Sequence, residues 1–319
     1  MIGMNKPFDF AGRKKLFMGI SLGIVIIGLL CTLIFGVEMD ITFRGGTLLK
    51  YSYTGDIDAD QLKSLASEKL GHEVDDVQLA GGVASISLDQ TVTLEEQDAL
   101  TAAMESAYEG QEISLVGANS LEPAMGKWFF IKCLVAVALA GVLLMIYVAF
   151  RFRKIGGFSA GIMALIALLN DLLVAFFAFV IFRIPLNDNF VAVLLSILGY
   201  SLNGTIVIYD RIRENRRIMD SKTPIAEVVN LSINQSFSRC FNTALCTFLA
   251  IAVVAVMALA LQMESIISFA VPMMLGVISG FYTSTFLCSP MWVLWVEHKE
   301  KKAAAAKEAA KAAKAAKAK

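Results

Sequence analysis

The chain has 319 residues, of which 57% are hydrophobic and only 18% charged, and its mean hydropathy is +0.66. These values exclude an ordinary soluble globular protein and predict a polytopic membrane protein. The formal net charge is zero, but residues 37–126 contain 17 acidic and 4 basic residues, so the charge is unevenly distributed along the chain. Such an asymmetry indicates which segments lie on which side of a membrane.

Six apolar stretches are long enough to cross the roughly 30 Å hydrocarbon core of a bilayer as helices. They are predicted at 16–37, 128–150, 158–182, 190–209, 240–261 and 266–296. The first is too long for the apolar region of a signal peptide, and no small-residue cleavage site follows it, so we interpret it as a span. The sixth is longer than one straight span. Its Pro272 and Pro290 predict kinks or an end that lies on the surface, and its Gly276 and Gly280 predict a helix contact.

Basic clusters indicate the cytoplasmic side of the predicted membrane. Arginines and lysines gather at 13–15, 151–154, 211–217 and in the tail from 299, which are alternate segments between the spans. The positive-inside rule assigns these segments, and with them both termini, to the cytoplasm. The acidic segment 37–126 and the short loops near 184–189 and 262–265 are then external. The predicted division is 1–36 for the N-terminus and first span, 37–126 for an external domain, 127–296 for the other five spans and 297–319 for a basic Ala/Lys tail.

The external segment shows the periodicities of both strands and helices. Strands are predicted at 47–53, 74–80, 83–88 and 112–117, and helices at 58–70 and 93–108. Thr91 or Thr93 can cap the second helix, whose first turn contains Glu95 and Glu96. The order β-α-β-β-α-β is typical of a small α+β, ferredoxin-like domain. The predicted fold is therefore an α-helical membrane protein with six transmembrane helices and this domain between helices 1 and 2.

The sequence contains no pattern typical of an enzyme. The external segment has no nucleophile with a base, no metal-ligand spacing and no phosphate-binding loop, and paired carboxylates such as Asp75-Asp76 are typical of a solvated face. We expect a binding or mechanical module there, and no catalysis. The five cysteines lie in apolar runs and the two histidines are far apart, so we expect no disulfide framework, no metal site and no cofactor.

Asp171 is the clearest polar residue inside a predicted span. A carboxylate near the bilayer centre costs about 2.5 to 3.5 kcal/mol on insertion scales, so it usually has a partner or a function. Ala160, Ala164 and Ala167 precede it on the same helical face, and this row of small residues predicts close helix contact and a carboxyl that points into the bundle. Two interpretations stay open, a role in transport and a hydrogen bond that only holds helices together.

The fourth and fifth spans carry further polar residues. In the fourth, Ser196, Tyr200, Asn203 and Val207 share a helical face that we expect to point into the bundle. In the fifth, Arg239 aligns with Ser236, Thr243 and Cys246 on one face. Helix contacts explain the first set as well as an ion pathway does, and snorkelling of Arg239 toward the headgroups is the plain alternative for the second.

Two cytoplasmic segments connect or follow the spans. The segment 210–235 is amphipathic, and Pro224 is expected to start a short helix there, while the arginines at 211–217 serve chiefly as topology anchors. The tail from Lys299 alternates lysines with alanines, a composition attracted to anionic lipid or to ribosomal RNA by charge. We expect contact with membrane lipid and no specific nucleic-acid partner.

Several motifs resemble those of one family. The stretch "GYSLNGTIVIYDRIREN" contains Gly199, Tyr200, Asp210 and Arg211, and "FRGGTLL" contains Gly45 and Gly46. With "RFR", "GGFSAGIMALIALLNDLL" and "SRCFNTALCT", and with one external domain followed by five spans, they make residues 10–297 similar to the SecF family.

The resemblance implies a bacterial plasma-membrane protein with the resistance-nodulation-division fold, in which one six-span half pairs with another. It implies a SecD-like subunit and the SecYEG channel as partners, an unfolded secretory polypeptide as substrate, and use of the ion-motive force to draw that polypeptide outward. No cofactor and no covalent chemistry are implied. One alternative is a small-molecule or lipid exporter of the same fold, but a self-contained pump needs a second six-span repeat, which we do not find in this sequence. The other alternative is a scaffold that conducts no ions.

The chain departs from the family pattern at three positions. Gly204 stands where the family has an Asp, Asn170 where it has a His, and Thr42 where it has the Asp of its glycine motif. We therefore predict that the titrating carboxylate comes mainly from the SecD-like partner. Asp171, Asn203 and Arg239 are then supporting groups of the ion pathway.

Overall fold

The computed structural model describes residues 8–108, 110–121, 123–220, 223–261 and 263–317. The predictions for 1–7 and 318–319, and for single positions in the loops at 221–222 and 262, lie outside the described residues. Within the described part of the chain, six helices are long and apolar enough to cross a membrane, which confirms the predicted number. They are Lys14–Phe35, Met125–Arg151, Gly157–Ile181, Asp188–Ile218, Ile225–Ala260 and Ser265–Lys302.

The first span is helix α1 (Lys14–Phe35), and a short helix α2 (Ile41–Arg44) leads from it into the domain that the sequence predicts to be external, which is called the external domain below. That domain consists of β1 (Gly46–Ser52), α3 (Ala59–Leu70), β2 (Val74–Ala80), β3 (Val83–Leu88), α4 (Leu94–Ala107) and β4 (Ser114–Leu121). The sheet is antiparallel in the order β2-β3-β1-β4. The predicted ferredoxin-like βαββαβ order is thus confirmed.

The external domain has its own core between the sheet and its two helices. Leu49 and Tyr51 of β1 alternate inward and are fully buried, opposite Ile86 and Ala84 of β3. Of the two candidate caps of α4, the structure uses Thr93, which forms a reciprocal capping box with Glu96.

The connection between α1 and the sheet explains one departure from the family motif. The Asp40 carboxylate caps α2 by accepting the backbone N–H of Thr42 at 3.0 Å and its hydroxyl at 2.7 Å. Thr42 occupies the motif position itself, so the carboxylate two residues earlier now closes this turn. Gly45 ends α2 at φ 85°, a left-handed conformation that favours glycine.

Gly46 is required by both backbone conformation and space. Its φ is 122°, and a Cβ built there would lie 2.1 Å from the carbonyl oxygen of Leu88 in β3. Gly126, near the start of the next helix, is also confined. A Cβ built there would lie 2.9 Å from the amide nitrogen of Gly45. The two-glycine motif thus allows the sheet, α2 and the second span to meet at one point.

The base of the domain is also tied to the loop before the fourth span. The amide N–H of Asp40 donates to the carbonyl of Leu186 at 3.0 Å, and that of Leu186 donates to the carbonyl of Glu38 at 2.9 Å. The guanidinium of Arg183 forms an ion pair with the Glu38 carboxylate.

The second to fifth spans are α5 (Pro123–Arg151), α6 (Gly157–Ile181), α7 (Asp188–Ile218) and α8 (Ile225–Ala260), with a 3₁₀ turn at Arg153–Ile155. Both α7 and α8 extend well beyond the predicted apolar stretches. The prediction of a separate short helix after Pro224 is wrong, because the helix that begins there continues without interruption into the fifth span. Its apolar residues pack against the bundle and extend the helix past the membrane boundary.

The sixth run contains α9 (Glu264–Tyr282), a π-helical segment (Thr283–Cys288) and α10 (Ser289–Lys317). Helix α9 contains Pro272, and the π-helical segment interrupts the regular hydrogen bonding before Pro290. The predicted glycine contact lies against α7, because Cβ atoms on Gly276 and Gly280 would come within 2.1 Å of Ile197 and 3.2 Å of Ser201.

Helix α6 lies inside the bundle and α8 at its edge. In the apolar 18-residue stretch of each span, 56% of the residues are buried in α6 and 11% in α8. A helix so little covered by its own chain faces lipid or another protein. At the end of the bundle that contains the N-terminal segment, the side chain of Asn234 in α8 accepts the amide N–H of Phe8 at 3.1 Å and donates to its carbonyl at 2.9 Å.

Candidate functional site

Asp171 lies at the centre of a buried polar cluster formed by three elements. Ser201 of α7 donates its hydroxyl to Oδ2 at 2.5 Å, Thr283 of the π-helical segment donates to the same oxygen at 2.8 Å, and Ser279 of α9 donates to Oδ1 at 2.5 Å. Asp171 itself is 0% exposed. These four residues are called the Asp171 cluster below.

Close packing of small residues makes this cluster possible. Ala160, Ala164 and Ala167 of α6 are buried as predicted, and they allow the neighbouring helices to approach. The π-helical segment begins at Thr283, one turn after Ser279, so both hydroxyls reach the same carboxylate. The prediction that Asp171 points into the bundle is correct.

Hydrogen bonding offsets part of the cost of burying Asp171. The described part of the chain places no basic side chain in contact with it, but three hydroxyl donors occupy its two oxygens. Interhelical hydrogen bonds in membranes contribute about 0.6 kcal/mol on average and up to about 1.7 kcal/mol each. Three such bonds connect α6 to α7 and α9.

Asn170 forms a second buried link beside the cluster. Its side-chain oxygen accepts the hydroxyl of Ser21 in α1 at 2.5 Å. The residue that replaces the family's histidine therefore joins the first span to the third, as an uncharged amide can without any change of protonation.

A second polar region lies between α7, α8 and α9. It is a narrow crevice of about 70 Å³, and its polar lining includes Tyr200, Asn203, Arg239, Thr243 and Ser284. Asn203 and Arg239 are exposed, and Tyr200 is half-buried. This region is called the α7–α8 crevice below.

The expectation that Asn203 faces the bundle is wrong for this chain. Its side chain is exposed and forms no hydrogen bond with any residue in the described ranges. The guanidinium of Arg239 likewise forms no ion pair or hydrogen bond within the described part of the chain. Helical periodicity grouped Asn203 with Tyr200 correctly, but it could not show that this side of α7 lies uncovered.

Gly204 and Ser284 lie between the two polar regions. A Cβ on Gly204 would approach the Ser284 hydroxyl to 2.8 Å. That hydroxyl donates to the carbonyl of Ser201 at 3.0 Å, and the Ser201 side chain holds Asp171. The three predicted pathway residues are therefore divided, with Asp171 inside the bundle and Asn203 and Arg239 at its surface.

The motif residues in the C-terminal part of α7 have structural contacts. Asp210 forms ion pairs with Arg151 of α5 at 3.2 Å and with Arg213 at 2.8 Å. Arg211 donates from Nε to the side-chain oxygen of Gln235 in α8 at 2.7 Å. These contacts join three helix ends. Gly199, by contrast, is exposed, and a Cβ there would meet nothing within 4 Å.

Ser201, Ser279 and Thr283 were missed by sequence reasoning. Single hydroxyl residues are common in membrane helices, where they bond to their own backbone, so each gave little signal. One pattern does indicate Ser279 and Thr283. They are spaced i and i+4, and each follows a glycine of the contact pair by three residues. No group of three metal-binding side chains occurs among the residues that were described.

Comparisons with known proteins place the chain in a family. Residues 99–298 match the family described as "Protein export membrane protein SecD/SecF, C-terminal". SecF from Petrotoga mobilis is 30% identical over 297 residues, which cover 89% of this chain and 94% of that protein. SecDF from Bacillus subtilis is 29% identical over 90% of this chain but only 38% of its own length.

A solved structure gives the same result. The crystal structure of SecDF from Thermus thermophilus, described as a translocon-associated membrane protein, superposes with a TM-score of 0.78 at 25% identity. The match covers 93% of this chain and 40% of that one. The chain thus spans well under half of the SecDF proteins that it matches and nearly all of a SecF protein. It belongs to the SecF branch of the SecD/SecF family of protein-export membrane proteins.

Proposed function

We propose that this protein-export membrane subunit works with a SecD-like subunit to couple the ion-motive force to the outward movement of secreted polypeptides. The SecYEG channel and an unfolded secretory polypeptide are the other proposed partners. The observation that carries the proposal is the α7–α8 crevice, where a guanidinium and an amide are exposed and form no ion pair or hydrogen bond with the described residues of the subunit.

The physical argument begins with the cost of an unpaired charge in lipid. An arginine within a span needs a partner, snorkelling or water, and α8 presents Arg239 on a side that its own chain leaves uncovered. A carboxylate is the natural partner for a guanidinium. Since the position of the family's acid is Gly204 in this chain, we propose that a SecD-like subunit supplies that carboxylate.

The lengths of the relatives support a partner of comparable size. Single-chain SecDF proteins are more than twice as long as the part that this chain matches. The remainder of such a protein corresponds to the proposed SecD-like partner. We propose that this subunit covers α7 and α8.

In the proposed mechanism, ions move at the subunit interface, and the Asp171 cluster is a supporting group behind it. A unit charge that crosses about 100 mV releases roughly 2.3 kcal/mol, so a few ions can bias the diffusion of a polypeptide. Ser284 connects the crevice to the backbone of Ser201, and Ser201 contacts Asp171. A change of charge at the interface therefore reaches the bundle through two hydrogen bonds.

We also propose that both termini are cytoplasmic and that 37–126 is the external domain. In support, Lys14 at the start of α1 forms an ion pair of 2.7 Å with Glu297 of α10, so the two terminal segments lie at the same end of the bundle. Labelling of single cysteines in intact cells with an impermeant reagent tests the orientation. A cysteine at Ser64 is expected to react and one at Ser221 is not, and the opposite pattern would contradict the proposed topology.

The first experiment removes the unpaired charge. Arg239→Ala, reconstituted with the SecD-like subunit and the channel, is expected to lower ion-dependent secretion at least ~10-fold, because an interfacial ion pair is worth about 1.5 kcal/mol or more. Arg217→Ala removes an equal charge at the inner end of α7 and is the control. Unchanged secretion with both Arg239→Ala and Asp171→Asn would mean that this subunit is a scaffold.

The second experiment moves the carboxylate from the partner to this chain. When the acidic residue of the partner's corresponding helix is neutralised, Gly204→Asp is expected to restore part of the lost secretion. Gly199→Asp places the same group on the same helix, away from the crevice lining, and is expected to restore none. Failure of Gly204→Asp, with the complex intact, would contradict the proposed location of the ion pathway.

A further inference from the structure

A wide groove lies at the end of the bundle where α5 ends and α6 begins, and it shares no lining residue with the α7–α8 crevice. Its volume is about 1140 Å³, and it is formed by α1, the end of α5, the start of α6 and α10. Its walls are mainly apolar, and two of the aromatic residues at its mouth, Phe150 and Phe158, are 72% and 71% exposed. In a membrane-spanning protein, such exposed apolar surface faces acyl chains or another helix.

The rim of this groove is basic. Arg153, His298, Lys299 and Lys302 line it, and none of its described lining residues is acidic. On α10 the basic residues follow Trp295 at i+3, i+4 and i+7, so they lie on the helical face that closes the groove. Lys301 lies on another face and is absent from the lining.

The start of α6 adds backbone donors to the same rim. Gly156, Gly157 and Ser159 line the groove, and α6 has no side-chain cap at its N-terminus. The N-terminal end of this 25-residue helix thus lines the same groove as the basic side chains. Together with the basic side chains, it forms a region that is suited to a phosphate.

We propose that this groove binds an anionic phospholipid of the cytoplasmic leaflet, with the phosphate at Arg153, Lys299 and Lys302 and the acyl chains along the apolar wall. Charge complementarity identifies the occupant, because basic pockets between transmembrane helices on the cytoplasmic side bind anionic headgroups. The apolar wall requires a ligand that continues into the hydrocarbon region, which a free phosphate does not. The site depends on the proposed orientation of the termini but not on ion coupling.

Trp295 provides a direct test, since it lines the groove and is 43% exposed. The full chain is placed in vesicles that contain either brominated phosphatidylglycerol or brominated phosphatidylcholine, and tryptophan quenching is measured. Half-quenching is expected at a mole fraction about 10-fold lower for the anionic lipid, because each basic side chain favours anionic lipid. Trp295→Phe isolates the contribution of Trp295.

Matched variants separate the groove from diffuse surface charge. Arg153→Gln, Lys299→Gln and Lys302→Gln together are expected to bring the preference for the anionic lipid to ~1-fold. The control combines Lys15→Gln, Lys154→Gln and Lys301→Gln, which remove the same charge at the same end without touching the groove lining. It is expected to retain most of the preference.

Three results would overturn the proposal. The first is equal quenching by both lipids in the unmodified chain. The second is an equal loss of preference in both triple variants, which would assign it to general surface charge. The third is that the SecD-like subunit protects Trp295 from both lipids, which would make the groove a contact between helices. Loss of secretion in the Arg239→Ala experiment bears on none of these results.

Discussion

The Asp171 cluster and the α7–α8 crevice both contain polar side chains, but they differ in whether those side chains have hydrogen-bond partners. In the cluster, each carboxylate oxygen of Asp171 accepts at least one hydroxyl from another element. In the crevice, Asn203 and Arg239 find no partner among the described residues. Because lipid cannot satisfy polar groups, the fold of one chain explains the first region, and in the second we propose that another subunit supplies the partner.

This contrast also bears on the two interpretations of Asp171. Its hydrogen bonds join α6 to α7, α9 and the π-helical segment, which gives it a structural role without an ion pathway. A transport role requires, in addition, that the cluster respond to the interface. The link through Ser201 and Ser284 is the route by which it could do so.

The largest expected effect compares the same truncation in the two regions. Asp171→Ala is expected to lower the free energy of unfolding of the isolated subunit by about 3 kcal/mol, because three hydroxyls lose their acceptor and a cavity remains. Asn203→Ala is expected to change it by less than about 0.5 kcal/mol, since this exposed side chain has no partner. Denaturant unfolding in mild detergent measures both. Equal losses would remove the distinction between the regions.

The motif glycines extend the comparison to the backbone. Gly46→Ala is expected to destabilise the base of the external domain by roughly 2 to 3 kcal/mol, because the Cβ meets a carbonyl oxygen in a left-handed conformation. Gly199→Ala, in an open part of α7, is expected to be neutral or slightly stabilising in the isolated subunit. Thermal unfolding followed by hydrogen exchange in β1 and β3 distinguishes them, and an unaffected Gly46→Ala would contradict the described close approach.

A single hydroxyl tests the cluster more finely. Ser201→Ala removes one of the three donors and is expected to cost about 1 kcal/mol of unfolding free energy. Ser196→Ala, on the exposed side of the same helix, is the matched control and is expected to cost a few tenths of that. If the two substitutions had the same effect, the hydrogen bond to Asp171 would not contribute to stability.

The smallest effect is expected where water competes with a local contact. Hydrogen bonds from the Thr93 backbone and hydroxyl hold the pKa of Glu96 below its ordinary value. The stabilisation is therefore present above the pKa of the unfolded chain and is lost as the pH falls through the lower, folded value. Amide exchange in the first turn of α4, corrected for the intrinsic rate, should increase slightly in that acidic range. Glu96→Gln should show a weaker dependence on pH.

The sequence determined which segments cross the membrane and how the external domain is built. Runs of apolar residues identified the spans, and strict periodicity predicted the βαββαβ order, because both signals are local. Asp171 was found for the same reason, as a charged residue in an otherwise apolar helix. The row of alanines also indicated its direction, since small residues mark the side where helices approach.

Tertiary structure decided which polar residues have partners. Ser201, Ser279 and Thr283 are separated by up to 82 residues in the sequence, and only the packing of α7, α9 and the π-helical segment brings them to one carboxylate. Asn203 lies two positions from Ser201 but is turned to the uncovered side of α7. Helical spacing defines a face, but whether that face is covered depends on neighbouring helices, and for α7 and α8 they belong in part to another subunit in the proposed complex.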